Sequence, residues 1–590
     1  MRLVVVGGVA GGMSCAARAR RLDETAEIVV LEQGPDVSVA SCGLPYHLSG
    51  EIADEAALRV QTPQKLLASL NLDVRTSHEV TAVDPASHSV TVSTPDGVEE
   101  ITYDALVLSP GARAVALPVP GADSPRVSTL RTVEDARELR AEVLGGASSA
   151  VVIGAGFIGV EAAENLREAG LTVTLVEAAP HVLPPLETEM ANLAREELRR
   201  LGVDVRESHS VAAIHPGEDH DTVELGDGTR IDAQIIISSI GVRARTELAQ
   251  SAGARLDNGA IAVDAHGRTS VPGIWAIGDA VTSTHAVTGA RRPVALAGPA
   301  NRAGRQVADD IIGTGATPGQ WRAVDEGARV RGGQGAWASG HDEQGAPAVR
   351  PLPDPLATAI VRVGELEVAM TGANRRDLLA AGFDPITLHL HPSQHVGYFP
   401  GAQRMDLVVH IDSDGRILGA QGVGRDGVAR RIDVLATAMR AGMTAPDLID
   451  LDLSYSPPYG AAKDAVNMIG MNAENVLGGM LPLWYPWELE ERRGDSLILD
   501  VRSRGEAASG IVPGALVIPH TELRGRLEEV RLAAAGRPIA IHCQSGVRSY
   551  LAHCVLRNAG MESSSLSGGM LTLRAWLGDR ADEVLVDPVM

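Results

Sequence analysis

Short apolar runs that stop at glycine, each followed by helical periodicity, recur along the chain. Residues 2–6 (Arg-Leu-Val-Val-Val) predict a buried strand ending at Gly7. A helix is expected over 13–22, then a second apolar strand over 28–31 that ends at Glu32. The same order returns as a strand at 150–153, a helix at 161–169 and a strand at 171–176 ending at Glu177. The run 271–279 predicts a short strand ending in Gly278-Asp279. Alternation over 407–411 and 416–419, with helical periodicity over 428–440, suits an α+β module. Strands are expected again at 497–501 and 538–542, the second leading into a helix from Ser549. Between Trp321 and Pro353 periodicity is lost, and the stretch 326–353 is expected to be a flexible surface insertion.

Composition narrows the picture. The chain has 590 residues, 45% hydrophobic and 22% charged, the balance of a soluble globular protein of roughly four domains. Aromatic residues make up 3%, so the core must be aliphatic. The net charge of −23 argues against nucleic acid and anionic lipid as partners. The uncharged stretch from Val143 to Val160 is long enough to suggest a membrane span, but Gly145, Gly146, Gly154, Gly156 and Gly159 make it loop, buried strand and glycine turn. With no convincing targeting segment, a cytoplasmic location is expected. Four cysteines exclude a disulfide scaffold and point to reactive thiols in a reducing compartment.

Strand, glycine turn, helix, strand and acid form the dinucleotide-binding βαβ unit. The first copy uses Gly7, Gly11 and Gly12, with Val9 at the middle glycine position, and ends at Glu32. The second, Gly154-Ala155-Gly156-Phe157-Ile158-Gly159, matches the full fingerprint and ends at Glu177. In each, the helix N-terminus faces a pyrophosphate and the acid faces a ribose. Glu177 would accept from a 2′-hydroxyl and repel a 2′-phosphate, which favours NADH over NADPH.

Together these segments resemble the FAD-dependent pyridine nucleotide-disulfide oxidoreductases over about residues 1–325. The resemblance implies an α/β fold with two Rossmann-like domains, FAD on the first fingerprint and NADH or NADPH on the second. It makes Ser109-Pro110-Gly111 the hinge and Asp279 a flavin ligand. Gln33, Val80, Arg131 and Gly241 join the implied cofactor contacts. Dithiol members carry two cysteines with four residues between them, whereas Cys42 stands alone in Ser38-Val39-Ala40-Ser41-Cys42-Gly43-Leu44-Pro45-Tyr46. When oxidised it must be capped by an external thiol, a persulfide sulfur or a sulfenic acid. The Cys-Gly-Leu-Pro-Tyr run is similar to the coenzyme A-disulfide reductase and NADH-dependent persulfide reductase branch, although Val39 and Ser41 stand where that branch has Phe and Asn. That likeness places coenzyme A contacts on Ser14, Arg18, Arg21, Ser38, Ser41, Asn301 and Lys463, with Asn301 replacing the usual histidine. Cys15 and Cys554 are expected to pack. An NADH oxidase or peroxidase working through Cys42 sulfenic acid, or a redox-sensing interaction protein, are the alternatives.

Residues 354–465 resemble the family's dimerisation domain, which implies a homodimer. Tyr398 and Tyr455 are the candidates for reaching across it to donate to a departing thiolate. Residues 466–494 are expected to be a linker, with Trp484 and Trp487 packing on a neighbour. Residues 495–590 resemble a rhodanese, through Asp500-Val501-Arg502, Ile511-Val512-Pro513-Gly514-Ala515, Cys543-Gln544-Ser545-Gly546-Val547-Arg548 and Ser567-Gly568-Gly569. Successive N–H groups after Cys543 would form an anion nest for its thiolate and persulfide, and Arg548 would add a fixed charge. The domain assignment is then 1–112 with 250–325 for FAD, 113–249 for NAD(P)H, 354–465 for dimerisation and 495–590 for sulfane sulfur. The expected substrate is coenzyme A disulfide, coenzyme A persulfide or a polysulfide.

Overall fold

Continuous β-branched runs, apolar on both faces, pair in parallel between layers of helix. The computed structural model, which describes residues 1–312 and 350–587, shows this twice within its first compact unit, Met1–Ala178 with Gly202–Ala357. One parallel sheet orders its strands Ile274–Ala276, Ala105–Leu108, Arg2–Val6, Glu27–Glu32, Asp73–Thr76. The other orders them Asp204–Arg206, Thr172–Val176, Ser149–Ile153, Ile235–Ser238, Val127–Ser128. The expected insertion at 326–353 lies outside the described residues except for its last four.

The first helix runs Ala10–Leu22, starting three residues earlier than its periodicity suggests. Gly11 and Gly12 lie in its opening turn, where Gly12 packs against backbone and Gly11 against the side chains of Ser109 and Ile277. A Cβ on Gly12 would lie 1.9 Å from the Gly7 carbonyl oxygen, and one on Gly159 in the second copy would lie 1.8 Å from that of Gly154. Gly12→Ala should therefore destabilise the protein by about 1–3 kcal/mol, the range for overpacking a tight site. Thermal unfolding at saturating FAD is the check; an unchanged Tm would refute it. Helix Ala297–Ile312 presses on Ala10–Leu22, where a Cβ on Gly304 would lie 2.1 Å from the Gly11 carbonyl oxygen. Cys15 is fully buried at this contact and burial pushes its thiol up to about 12, so it packs, as expected.

The second unit is Ala179–Leu201 with Thr358–Met590. Helix Thr188–Arg200, expected in the NAD(P)H domain, belongs here. An antiparallel sheet orders Ala359–Val363, Leu366–Gly372, Ile417–Gly424, Met405–Ile411, Ile386–Leu390. A parallel sheet orders Leu483–Trp484, Ser563–Leu566, Ile539–His542, Leu497–Asp500, Leu516–Val517.

The segment expected as a linker is structured. Helix Ala465–Leu477 buries Val466, Ile469 and Ala473 in the core of the antiparallel sheet. Strand Leu483–Trp484 is an edge of the parallel sheet, with the Trp484 indole N–H donating to Ile541 O at 3.1 Å. The tryptophans belong to a fold, not to a tether. No helix among the described residues is long and apolar enough to cross a membrane.

Candidate active site

Both nucleotide cradles are built alike. Glu32 accepts from Gly8 N at 2.7 Å and Gly34 N at 2.9 Å, and Glu177 accepts from Ala155 N at 2.6 Å. Each acid thus holds the amide just after the first glycine, and a carboxylate has acceptor capacity left for a ribose hydroxyl. Helices Ala10–Leu22 and Phe157–Glu168 start with no side-chain cap and no acid in the first turn. Helix Val133–Leu144, by contrast, starts with a full capping box at Thr132 and Asp135. Uncapped N-termini behind glycine loops keep amide donors and the positive dipole end for a pyrophosphate, so these residues fit FAD and NAD(P)H. Asp279 lies in the 3-10 turn Gly278–Ala280 that follows strand Ile274–Ala276. Burial pushes its carboxyl up, against the nearby charge of Arg131, whose guanidinium also donates to Ala112 O at 3.0 Å. Val80 is buried, Gln33 is exposed, and the Ser109 hydroxyl lies within 3.0 Å of where a Gly11 Cβ would stand.

Cys42 is exposed and free, in a single 3-10 turn, Ser41–Gly43, that leads into helix Leu44–Ser49. The approach to it is tied to the first cradle, since Ser38 N donates to Gly8 O at 2.8 Å. Ser38 is held at φ 53, a left-handed conformation that a non-glycine residue rarely adopts. The exit is tied to the second cradle: Tyr46 OH donates to Glu161 Oε1 at 2.9 Å and Ser49 Oγ to Asn165 Oδ1 at 2.7 Å, both on helix Phe157–Glu168. The thiol therefore sits on a short bridge between the two nucleotide sites.

Of the residues assigned to coenzyme A, Ser14 and Asn301 meet, Ser14 Oγ donating to Asn301 Oδ1 at 2.5 Å. Arg18 is ion-paired to Asp309 at 2.6 Å, while Arg21 is exposed and donates to Ala17 O at 3.1 Å. Arg20, on the same helix, is buried and donates to the carbonyls of Asp23, Glu24, Leu70 and Asn71, a structural role with no sequence signature. In the second unit Lys463 is exposed, and the hydroxyls of Tyr398 and Tyr455 lie 3.2 Å apart. That hydrogen bond raises the Tyr455 phenol above its ordinary value.

Cys543 follows strand Ile539–His542 and is fully buried. Its Sγ lies 3.3 Å from Ser549 Oγ, which receives a hydrogen bond from Ser565 Oγ at 2.8 Å. Helix Val547–Asn558 starts two residues before the expected Ser549 and has no side-chain cap, which leaves amides for the sulfur. Arg548 is not a free cation. Glu506 accepts from it at 2.5 and 2.7 Å and is held down to about 2. This carboxylate's contribution to stability is present at neutral pH and is lost as pH falls from 4.5 towards about 2. Sequence reasoning missed Glu506, although Ser503 and Glu506 spell a capping box.

Three family models match the chain: pyridine nucleotide-disulphide oxidoreductase over residues 1–298, the dimerisation domain of that family over 358–466, and a rhodanese-like domain over 486–575. The coenzyme A disulfide reductase of Staphylococcus haemolyticus is 32% identical over 480 residues, 80% of this chain and 100% of that protein. The crystal structure of reduced Bacillus anthracis CoADR-RHD superposes with a TM-score of 0.89 at 36% identity, covering 99% of both chains. The NAD-dependent persulfide reductase from A. fulgidus superposes at 0.85 and 34% identity, covering 97% of this chain and 100% of that one.

Proposed function

Since the chain belongs to the pyridine nucleotide-disulphide oxidoreductase family, we propose that it is a homodimeric flavoprotein reductase acting on coenzyme A disulfide and coenzyme A persulfide, with a sulfurtransferase domain in the same chain. One observation carries the reading: an exposed, unpaired thiol, Cys42, bridged to both nucleotide cradles through Ser38 and Tyr46.

Gly7, Gly11, Gly12, Glu32 and Asp279 would hold FAD, and Gly154, Gly156, Gly159 and Glu177 the nicotinamide nucleotide. Bound FAD would supply the passage of two electrons from NADH to sulfur. The rest is the work of the chain. Cys42 thiolate attacks one sulfur of coenzyme A disulfide, forms a mixed disulfide and releases one coenzyme A thiolate. On a persulfide it attacks the outer sulfur, breaks the sulfur–sulfur bond to release coenzyme A thiolate and becomes a persulfide itself, which two electrons return to thiolate and hydrosulfide. Tyr398 and Tyr455 are assigned as donors to the departing thiolate, delivered by the second copy of the homodimer. Ser14, Ser38, Ser41, Arg21, Asn301 and Lys463 are assigned to the coenzyme A portion. Arg18 is available to it only in competition with Asp309. Glu177 favours NADH, because a carboxylate at the ribose repels a 2′-phosphate. Cys543 takes up sulfane sulfur as a persulfide and passes it to a carrier thiol. Four free cysteines suit a reducing compartment, and we place the protein in the cytoplasm.

Comparing NADH consumption with coenzyme A persulfide, coenzyme A disulfide and oxygen tests this reading. Both sulfur substrates should be turned over and oxygen should support only a slow background. Oxygen consumed as fast as either sulfur substrate would reject the reading.

A further inference from the structure

We infer that His389 and His391, on the antiparallel sheet, are positioning residues for sulfur transfer at Cys543. The inference rests on the sulfurtransferase reading of that cysteine.

His389 lies within the edge strand Ile386–Leu390 and His391 directly follows it. The His389 side chain is fully buried. Its Nε2 lies 2.8 Å from Glu189 Oε1 on helix Thr188–Arg200, and its Nδ1 lies 2.8 Å from Ser567 Oγ. The His389 amide also donates to Ser567 Oγ at 3.1 Å, and that hydroxyl donates to Thr387 O at 3.2 Å. His391 bridges Asp406 Oδ1 at 2.6 Å and Thr572 Oγ1 at 2.9 Å. Between these two clasps stands Gly568, at φ +69. A Cβ there would lie 1.9 Å from Thr572 Oγ1, 2.7 Å from His389 Cβ and 2.9 Å from His391 Nε2. The antiparallel sheet thus grips the loop 567–570 by side chain and backbone together.

That loop sets the backbone of the reactive cysteine. Met570 N donates to Cys543 O at 2.8 Å and Leu571 N to Gln544 O at 3.0 Å. A Cβ on Gly569 would lie 2.6 Å from Cys543 O, so no slack remains at this contact. Each peptide unit is planar, so a fixed carbonyl fixes the direction of the next amide. Holding the carbonyls of Cys543 and Gln544 therefore aims the N–H groups of Gln544 and Ser545 away from loop 567–570. These are the first amides of the nest that receives an anionic sulfur. The members of the chain Glu189, His389, Ser567 are nearly fully buried, so each lost partner leaves a desolvated polar group and the loop must shift to recover one. A module that looks self-contained in sequence has its reactive loop braced from outside.

The test uses the full-length, FAD-loaded protein and thiosulfate as sulfur donor with cyanide as acceptor. His389→Leu should lower kcat for transfer on the order of 10- to 100-fold with KM little changed, the cost of a small misplacement of a reactive group. His389→Asn, which keeps a polar group towards Ser567, should recover most of the loss. Alkylation of Cys543 by iodoacetamide, followed on its own peptide by mass spectrometry, should have its pH profile moved upward in His389→Leu. NADH-dependent reduction of coenzyme A disulfide should stay at the parent rate. Ser567→Ala leaves the His389–Glu189 pair intact and carries the same expectation should His389→Leu not fold. If the parent chain shows no Cys543-dependent transfer, the sulfurtransferase reading falls and this inference with it. If transfer is present and the His389 and Ser567 variants keep the parent kcat and alkylation profile, this inference alone is overturned.

Discussion

Cys42→Ser loses NADH-dependent reduction of coenzyme A disulfide and persulfide on the order of a thousandfold or more, the scale of removing a covalent nucleophile. A serine hydroxyl is un-ionised at neutral pH and a poor nucleophile towards sulfur, so no covalent adduct with the sulfur substrate forms for the flavin to reduce. The fold should not notice the change, because Cys42 is exposed and fills no core. The flavin should therefore still bind, give a yellow protein and bleach when NADH is added. Stopped-flow absorbance separates the two halves: flavin reduction at the parent rate, reoxidation by the sulfur substrate abolished. A variant that still turned over coenzyme A persulfide at the parent rate would remove Cys42 from the mechanism.

Cys543→Ala gives the complementary result. Sulfur transfer from thiosulfate or polysulfide to an acceptor thiol falls by a comparable factor, on the order of a thousandfold, because no other group in the loop can carry a sulfane sulfur. Reduction of coenzyme A disulfide continues at the parent rate. Cys543 is part of an apolar cluster with Leu499, Ile541 and Ala552, so replacing its sulfur with hydrogen also leaves a small void. The cost is about 1 kcal/mol, too little to unfold the domain. Parallel assays of the two activities on one preparation decide the matter. Equal loss of both would mean that the cysteines serve one inseparable step, and retention of sulfur transfer would strip Cys543 of its role.

Much of this architecture was legible because its signals are local. A strand stopping at glycine, an uncapped helix and an acid about 20 residues on all lie within one βαβ unit. The two copies therefore appear in the sequence at residues 2–32 and 150–177, close to where the structure puts them. The Cys543–Arg548 loop is equally local. Where the reading erred, a distant partner had decided the outcome. Two prolines and two tryptophans made 466–494 resemble a tether, but Trp484 gains its strand only by pairing with Leu566. Helix Thr188–Arg200 has an amphipathic pattern that says a face is buried and nothing about what covers it. Arg20 reads as a solvated neighbour of Arg18 and Arg21 until carbonyls at 70 and 71 close around it.

The sequence alone determined which chemistries the chain can carry: two dinucleotide cradles, one thiol with no partner nearby in the chain, and a second thiol in an amide-rich loop. Such properties depend on residues within a few turns of one another, whose backbone geometry is set by glycine sterics and helix ends. Only the tertiary structure decided which charges are spent and which are free. Arg548 is bound to Glu506 and Arg18 to Asp309, and Ser567 is clasped by His389, partners separated by 42, 291 and 178 positions. Hydrogen bonds and ion pairs act over about 3 Å of space whatever the separation along the chain, so no pattern in the sequence can announce them before the chain has folded.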